Sequence, residues 1–198
     1  KANVAEASAI RALCYFYLIR TFRDVPYTTR PSLDDDTQNY VIPATPFNDV
    51  LDSLIVNLES VKDDAVRRYY TDESANQWQN SCKITRYAIY ALLADLYLWK
   101  GDWDNSIKYC DMVINYKRQQ YDEMIEREGN VNTIGLFGEI PMLLTKPTGS
   151  TNCGNAYNLT FDRGNSFESI FELYFQDNQT RQNTWVSNYY GNSNNPVG

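Results

Sequence analysis

Residues 96–107, LYLWKGDWDNSI, permit two opposed interpretations, and the choice between them sets the architecture of the chain. Trp99 and Trp103 flank Gly101 and Asp102, and an indole beside a carboxylate is suited to holding a sugar ring. Alternatively, Gly101 is the left-handed residue that follows one helix and Asp102 is the N-cap of the next. Helical apolar patterns continue on both sides, so the sequence predicts a helix-turn-helix junction.

The two tryptophans are not equivalent in that junction. Trp103 shares a helical stripe with Ile107 and Cys110, which predicts that its indole is buried. Trp99 lies two positions after Tyr97, so we expect it to point away from that inward aromatic ring and to meet a neighbouring helix or a partner.

The pattern of apolar residues predicts three helices, and the composition changes after residue 120. Residues 2–22 and 84–100 are apolar on nearly every side, which indicates helices packed on several faces. A second helix is predicted to begin at Thr45 as N-cap and Pro46 as first helical residue, and to continue to about Val61 with one buried stripe. Residues 121–198 are rich in Gly and Asn, and within them only residues 167–176 alternate as a short strand does.

Composition excludes several classes of function. The 198-residue chain carries a net charge of −7, which argues against ligands bound by neutralising phosphates, such as nucleic acid. It contains no histidine, which removes the usual general base and the commonest zinc ligand. Cys14 and Cys110 lie in apolar helical patterns and are expected to be small buried side chains. Any catalytic site would therefore have to use carboxylates, Lys, Tyr or Cys, and we assign no catalytic residue, no metal ligand and no cofactor.

Residues 90–114 match the tetratricopeptide pattern of two antiparallel helices. Leu93 and Ala94 occupy the close-packing positions, Tyr97 is the inward aromatic residue, and Gly101 makes the turn. Fewer than three repeats are visible, so an independent solenoid is not predicted.

Longer segments extend the resemblance to a known family. Residues 6–27, EASAIRALCYFYLIRTFRDVPY, resemble a helix of the SusD/RagB family, which ends in Phe-Gly-Asp-Val-Pro; Arg23 stands here in the place of the family's Gly. FNDVLDSLIVNLESV resembles the family's next helix, residues 85–114 its following helix pair, and NSFESIFELYF its Ile-Phe-Glu strand. These segments occur in the family's order and cover about half of the chain.

The resemblance implies a mostly α fold, a SusD-like α superhelix with tetratricopeptide-like helix pairs and irregular, partly β loops. We interpret residues 1–198 as a single domain and an internal part of a longer protein, with helices in 1–120 and a loop-rich part in 121–198. The resemblance also implies a surface-exposed lipoprotein of the bacterial outer membrane that is not an enzyme. Such a protein binds glycans or peptides and delivers them to a SusC-like TonB-dependent transporter, and its membrane contact is a lipid anchor outside this sequence.

Ligand residues are assigned by position in the chain. The family places ligand-facing loops after its Ile-Phe-Glu strand, which implies ligand-binding roles for Trp185, Asn188, Tyr189 and Tyr190. A secondary set lies in the long loop between the second and third helices: Arg67, Arg68, Tyr69, Tyr70 and Trp78. The alternative function is a tetratricopeptide scaffold that binds another protein through its helices.

Overall fold

The computed structural model describes residues 1–30, 41–69, 79–128, 134–137, 140–143 and 169–173. Its helices are α1 (Ala2–Phe22), α2 (Phe47–Val61), α3 (Gln79–Cys82), α4 (Arg86–Lys100) and α5 (Trp103–Glu128). Its strands are β1 (Val25–Pro26), β2 (Ala44–Thr45), β3 (Ile134–Phe137) and β4 (Ile140–Leu143), and a 3₁₀ turn spans Lys62–Asp64. The mostly helical fold predicted from the sequence is confirmed.

The helix-turn-helix junction is confirmed. Gly101 ends α4 in the left-handed conformation, with φ 79° and ψ 15°, and the backbone N–H of Asp102 donates to the carbonyl of Tyr97. The Asp102 carboxylate accepts from the backbone N–H of Asn105 at 3.2 Å. Hydrogen bonds from the side chain and backbone of Asn105 hold the pKa of Asp102 below its usual value. Helices α4 and α5 therefore form an antiparallel hairpin, and α5 continues to Glu128, eight residues past the predicted limit of the helical part.

The core lies between α1, α2 and the α4–α5 hairpin. Each helix contributes a stripe of fully buried apolar side chains: Ala5, Ala9, Ala12, Phe16 and Ile19 from α1; Val50, Leu51, Leu54 and Leu58 from α2; Ile89, Leu93 and Leu96 from α4; and Tyr109 from α5. Small residues on α1 let it approach α2 closely, while larger ones fill the space between α2 and α4.

Helix α1 is buried on one side only, which corrects the prediction that it packs on several faces. Its outward positions carry large exposed side chains, among them Val4, Tyr17 and Phe22. Apolar periodicity detects hydrophobic surface but does not show whether a neighbour covers it.

The turn after α1 adopts an unfavourable backbone conformation. Arg23 has φ 66° and ψ −83°, in the positive-φ range where glycine is favoured, and its N–H donates to the carbonyl of Ile19 at 3.0 Å. This is the position at which the SusD/RagB pattern has Gly. The turn is thus formed without glycine, at a cost of about 1–3 kcal/mol, because residues with a Cβ rarely adopt this combination of φ and ψ.

Helix α2 begins one residue later than predicted. Thr45 lies in β2, where it pairs with Val25 in an antiparallel bridge, so it is not available as the N-cap. Pro46 is the N-cap instead, and the backbone N–H of Phe47 donates to Asp24 Oδ1 at 2.9 Å. A carboxylate from the α1–β1 turn thereby satisfies an N–H group that a local cap usually satisfies.

Candidate functional site

Three segments of the chain meet at one place beside the helical core. We call this place the loop junction and define it as residues 66–69, 79–86 and 169–173. The backbone N–H of Arg86 donates to Val66 O at 2.8 Å, and that of Tyr69 donates to Asn80 Oδ1 at 2.7 Å. The N–H of Glu172 donates to Ser81 O at 2.8 Å. The chain that follows Tyr69 and the chain that follows Leu173 therefore start from the same part of the molecule.

Buried side chains explain why the loop junction forms. Ala65 and Ile84 belong to the hydrophobic core, and Ile170 and Phe171 pack against it. Thr85 is the N-cap of α4, and its Oγ1 accepts from the N–H of Ala88 at 3.3 Å. Apolar anchors from three separate segments thus converge at the beginning of α4.

The strand predicted over 167–176 is not formed by residues 169–173, which make a bend. Their backbone groups bond elsewhere: Lys117 Nζ donates to Ser169 O at 2.9 Å, and the N–H of Glu172 is bound to α3. Alternation of Phe171, Glu172 and Leu173 predicts that the two apolar side chains share one face of a strand, and this prediction is wrong: Phe171 packs against the core, whereas Leu173 is 73% exposed. The rest of 167–176 lies outside the described residues.

A stacked tyrosine pair supports Arg67 at the loop junction. Arg67 Nη2 donates to Tyr87 Oη at 3.1 Å. The ring of Tyr87 stacks on that of Tyr116, with centroids 3.4 Å apart and planes within 6°. Tyr87 is only 7% exposed, and burial raises the pKa of Tyr116 to about 12. The exposed Arg67 guanidinium thus lies beside a pair of phenol rings and not beside a carboxylate of the described residues that would neutralise it.

Arg68 and Tyr69 have different partners. Arg68 Nη1 forms an ion pair with Glu123 Oε2 at 3.0 Å, which links the junction to α5. Tyr69 donates to Ile84 O at 3.4 Å, and the ammonium of Lys83 lies 4.9 Å from the centroid of its ring. Burial, reinforced by the negative charge of Glu6, raises the pKa of Tyr69.

The structure brings together three residues of the secondary candidate set: Arg67, Arg68 and Tyr69. The other two, Tyr70 and Trp78, lie outside the described residues, as do all of the primary candidates: Trp185, Asn188, Tyr189 and Tyr190. Sequence reasoning missed Tyr87, Tyr116 and Glu123, which hold the two arginines. Their signal was weak, because Tyr116 follows Tyr109 and Val113 at helical spacing and does not share the stripe of Trp103 that is predicted to be buried.

The tyrosine rings at the loop junction and at the adjacent Tyr87 pack against other side chains of the protein, so their faces are not free to stack on a ligand. Tyr87 is covered by Tyr116, and Tyr69 faces Lys83. What the junction offers to a ligand is the positive charge of Arg67 and Lys83. Among the residues that the structure describes, no group of three or more Cys, Asp or Glu side chains is arranged to hold a metal ion.

The prediction for Trp103 is wrong and that for Trp99 is confirmed. Trp103 is 62% exposed and Ile107 is 59% exposed, because α5 presents Ser106, Tyr109 and Val113 to the core instead. Trp99 is half-buried against two neighbouring helices, with its ring centroid 6.2 Å from that of Phe16 on α1 and 6.0 Å from that of Phe47 on α2.

The cysteines differ from expectation as well. Cys14 and Cys110 are exposed free thiols, since each lies on the outward side of its helix. Cys82 is partly buried, and this burial raises the pKa of its thiol. In the described ranges, no helix combines the length and the apolarity needed to cross a membrane.

Comparison with known proteins gives one curated relative and several solved structures. The chain is 29% identical over 119 residues to SusD-like protein P2 of Formosa agariphila, a match that covers 58% of this chain and 21% of that protein. The similarity to SusD-like proteins predicted from the sequence is confirmed. The chain thus spans about a fifth of the length of this relative. No family model matches the chain.

Two solved structures show similar partial matches. A SusD-like carbohydrate-binding protein of Bacteroides fragilis aligns with a TM-score of 0.47 and 21% identity, over 57% of this chain and 20% of the other. A SusD superfamily protein of Bacteroides thetaiotaomicron aligns with a TM-score of 0.49 and 25% identity, over 59% of this chain and 26% of the other.

Proposed function

We propose that this SusD-like chain binds glycans, or in the second place peptides, without catalysing a reaction, and that it works at the bacterial outer-membrane surface. The observation that carries the proposal is the loop junction, where the N–H of Glu172 meets Ser81 O at 2.8 Å. The two segments that hold the candidate aromatic and amide side chains both continue from this contact. Loops on a rigid helical scaffold are the usual location of binding residues.

The proposed ligand platform consists of Trp185, Asn188, Tyr189 and Tyr190, with Tyr70 and Trp78 as further contacts. Sugar C–H faces stack on tryptophan and tyrosine rings, and amide groups give the sugar its orientation through hydrogen bonds to its hydroxyls. In this proposal the residues of the loop junction support the platform from below and give the site its positive charge. The carbohydrate-binding description of the B. fragilis protein concerns a relative of 21% identity and gives this proposal its ligand class.

Titration of the intact protein with a panel of oligosaccharides by isothermal calorimetry tests the proposal. We expect Trp185→Ala and Tyr189→Ala to weaken binding by about tenfold each, because a stacked aromatic ring contributes roughly 1–3 kcal/mol. Trp103→Ala is the matched control, since this tryptophan is exposed on α5 and belongs neither to the proposed platform nor to the loop junction. If the two loop variants bind with the same affinity as the Trp103 control, the site assignment fails. Sustained hydrolysis of any glycan by the protein would contradict the non-catalytic role.

A second function has support from a different surface. Trp103 and Ile107, one helical turn apart on α5, form an exposed apolar stripe, and exposed apolar patches mark protein contacts. We propose this helix surface as the contact with a SusC-like transporter, which is the partner implied by the family resemblance; a tetratricopeptide scaffold for another protein is the alternative. Trp103→Ser should reduce co-purification with the purified transporter while leaving glycan affinity unchanged. Glycan-binding loss in this variant would instead place the ligand on the helices.

A further inference from the structure

Two cations at the loop junction have no carboxylate partner among the described residues. Arg67 donates to the phenol oxygen of Tyr87, and Lys83 lies over the ring of Tyr69. The neighbouring Arg68 differs, because it is neutralised by Glu123 at 3.0 Å. The positive charges of Arg67 and Lys83 are therefore not neutralised by a carboxylate of the described residues and are available to a ligand.

The position of Arg67 is suited to a ligand with an oxyanion. A guanidinium has five donors in a planar fork that matches carboxylate and sulfate oxygens, and Tyr87 uses one of them. Tyr87 is itself fixed by burial and by stacking on Tyr116, so the side chain of Arg67 is held at its far end before any ligand arrives. Such pre-organisation lowers the entropic cost of binding.

A neutral sugar is a poorer match to these groups. Hydroxyls need acceptors as well as donors, whereas Arg67 and Lys83 provide donors and two positive charges. The whole chain carries −7, so long-range attraction does not bring an anion to it, and recognition of an anion requires local cations. Arg67 is exposed and Lys83 is partly exposed, so both side chains are open to solvent.

We propose that the glycan bound at the loop junction is acidic, and that Arg67 and Lys83 receive its carboxylate or sulfate groups. This inference rests on the proposed glycan-binding function and specifies its ligand class. Arg67 forms a bidentate contact with one carboxylate or sulfate group of the glycan. Lys83, whose ammonium lies over the ring of Tyr69, adds a second positive charge.

Calorimetric titration of the intact protein with matched pairs of glycans tests this. One pair is an oligogalacturonate and its methyl ester, and the other is a sulfated galactan oligosaccharide and its desulfated form. We expect at least one acidic member to bind about tenfold more tightly than its neutral counterpart, and the responding pair identifies carboxylate or sulfate as the group recognised. Arg67→Gln and Lys83→Gln should each weaken binding of that acidic member by about threefold to tenfold and leave the neutral member unchanged.

Lys108→Gln is the control with the same change of charge. Lys108 also lies over a tyrosine ring, 5.3 Å from the centroid of Tyr109, but it is on α5 and outside the loop junction. Equal binding of acidic and neutral members, or equal effects of the Arg67, Lys83 and Lys108 substitutions, overturns the acidic-ligand inference while glycan binding itself stands. Absence of binding to every glycan in both pairs and in the wider panel overturns the proposed function and this inference with it.

Discussion

Glu59 joins α2 to the α4–α5 hairpin, and its substitution is the sharpest test of how the core is held together. Its Oε1 accepts from Tyr97 Oη at 2.8 Å and from Tyr109 Oη at 2.6 Å, while Lys62 pairs with Oε2. Tyr97 and Tyr109 are both in the buried set, and their rings stack with centroids 5.8 Å apart. One carboxylate thus satisfies two hydroxyls in a region with little access to water.

We expect Glu59→Ala to lower the free energy of unfolding by about 2–3 kcal/mol. Each hydrogen bond to a charged group contributes roughly 1.5–3 kcal/mol, and a hydroxyl left without a partner costs about 1–3 kcal/mol. The Glu59 side chain keeps 28% of its exposure, so water replaces part of what is lost and the sum stays at the lower end. Glu59→Gln retains an acceptor of similar shape and should cost about half as much.

The pH dependence has a defined sign. Burial raises the pKa of Glu59, but hydrogen bonds from Lys62, Tyr109 and Tyr97 outweigh it, and the net effect lowers the pKa below that of the unfolded chain. A lowered folded-state pKa stabilises the protein above the unfolded value, about pH 4.3, and this contribution is lost as the pH falls through the folded pKa. Burial, followed by the hydrogen bond to Glu59, raises the pKa of Tyr97 and Tyr109, so their contribution is present below about pH 10 and is lost above it.

Urea unfolding of the intact protein, followed by circular dichroism at pH 3, 5, 7 and 10.5, measures both effects. Asp52→Asn is the matched control, because Asp52 is also a carboxylate on α2, paired with Lys100 at 2.6 Å, but both side chains are over 40% exposed. Such a surface pair contributes about 0.5 kcal/mol or less. If Glu59→Ala costs no more than Asp52→Asn at pH 7, or if its cost is the same at pH 3, the role assigned to this carboxylate is refuted.

Four other substitutions test the fold by the same unfolding assay. Arg23→Gly should raise the stability by about 1 kcal/mol, because it relieves a positive φ, and a loss of stability would show that the conformation is not strained. Asp24→Ala removes the acceptor for the Phe47 N–H and should cost about 1 kcal/mol, whereas an unchanged midpoint would rule out its capping role. Leu96→Ala should cost about 2–5 kcal/mol and Ile107→Ala less than 0.5 kcal/mol, since the former is fully buried and the latter exposed; similar costs would contradict the assigned core.

Local signals predicted the helices and their junction well. Gly101 and Asp102 are adjacent residues whose backbone and side-chain preferences need no distant partner, and both take the predicted conformations. The start of α2 was less predictable, because the N–H of Phe47 donates to Asp24, a residue 23 positions away in the chain. A cap supplied from another element leaves no local pattern.

The buried stripe of α5 shows where periodicity reaches its limit. Trp103, Ile107 and Cys110 are the more apolar stripe, yet Ser106 and Tyr109 are buried. Ser106 donates to Ala94 O at 2.9 Å and Tyr109 donates to Glu59, so their polar atoms are satisfied by α4 and α2. Hydrophobicity alone cannot anticipate that a polar tip will find a partner inside the core.

The candidate site divides in the same way. The sequence predicted Arg67, Arg68 and Tyr69, together with Tyr70 and Trp78, as a set because they share one long loop between helices. The resemblance to SusD-like proteins followed from motifs that occur in the family's order. Only the tertiary structure assigned them different roles, with Arg68 neutralised by Glu123, Tyr69 used in packing, and Arg67 held with its charge available. Local conformation depends on near neighbours and can be read along the chain, whereas the partner of a charge is fixed by residues up to 55 positions away that folding alone brings into contact.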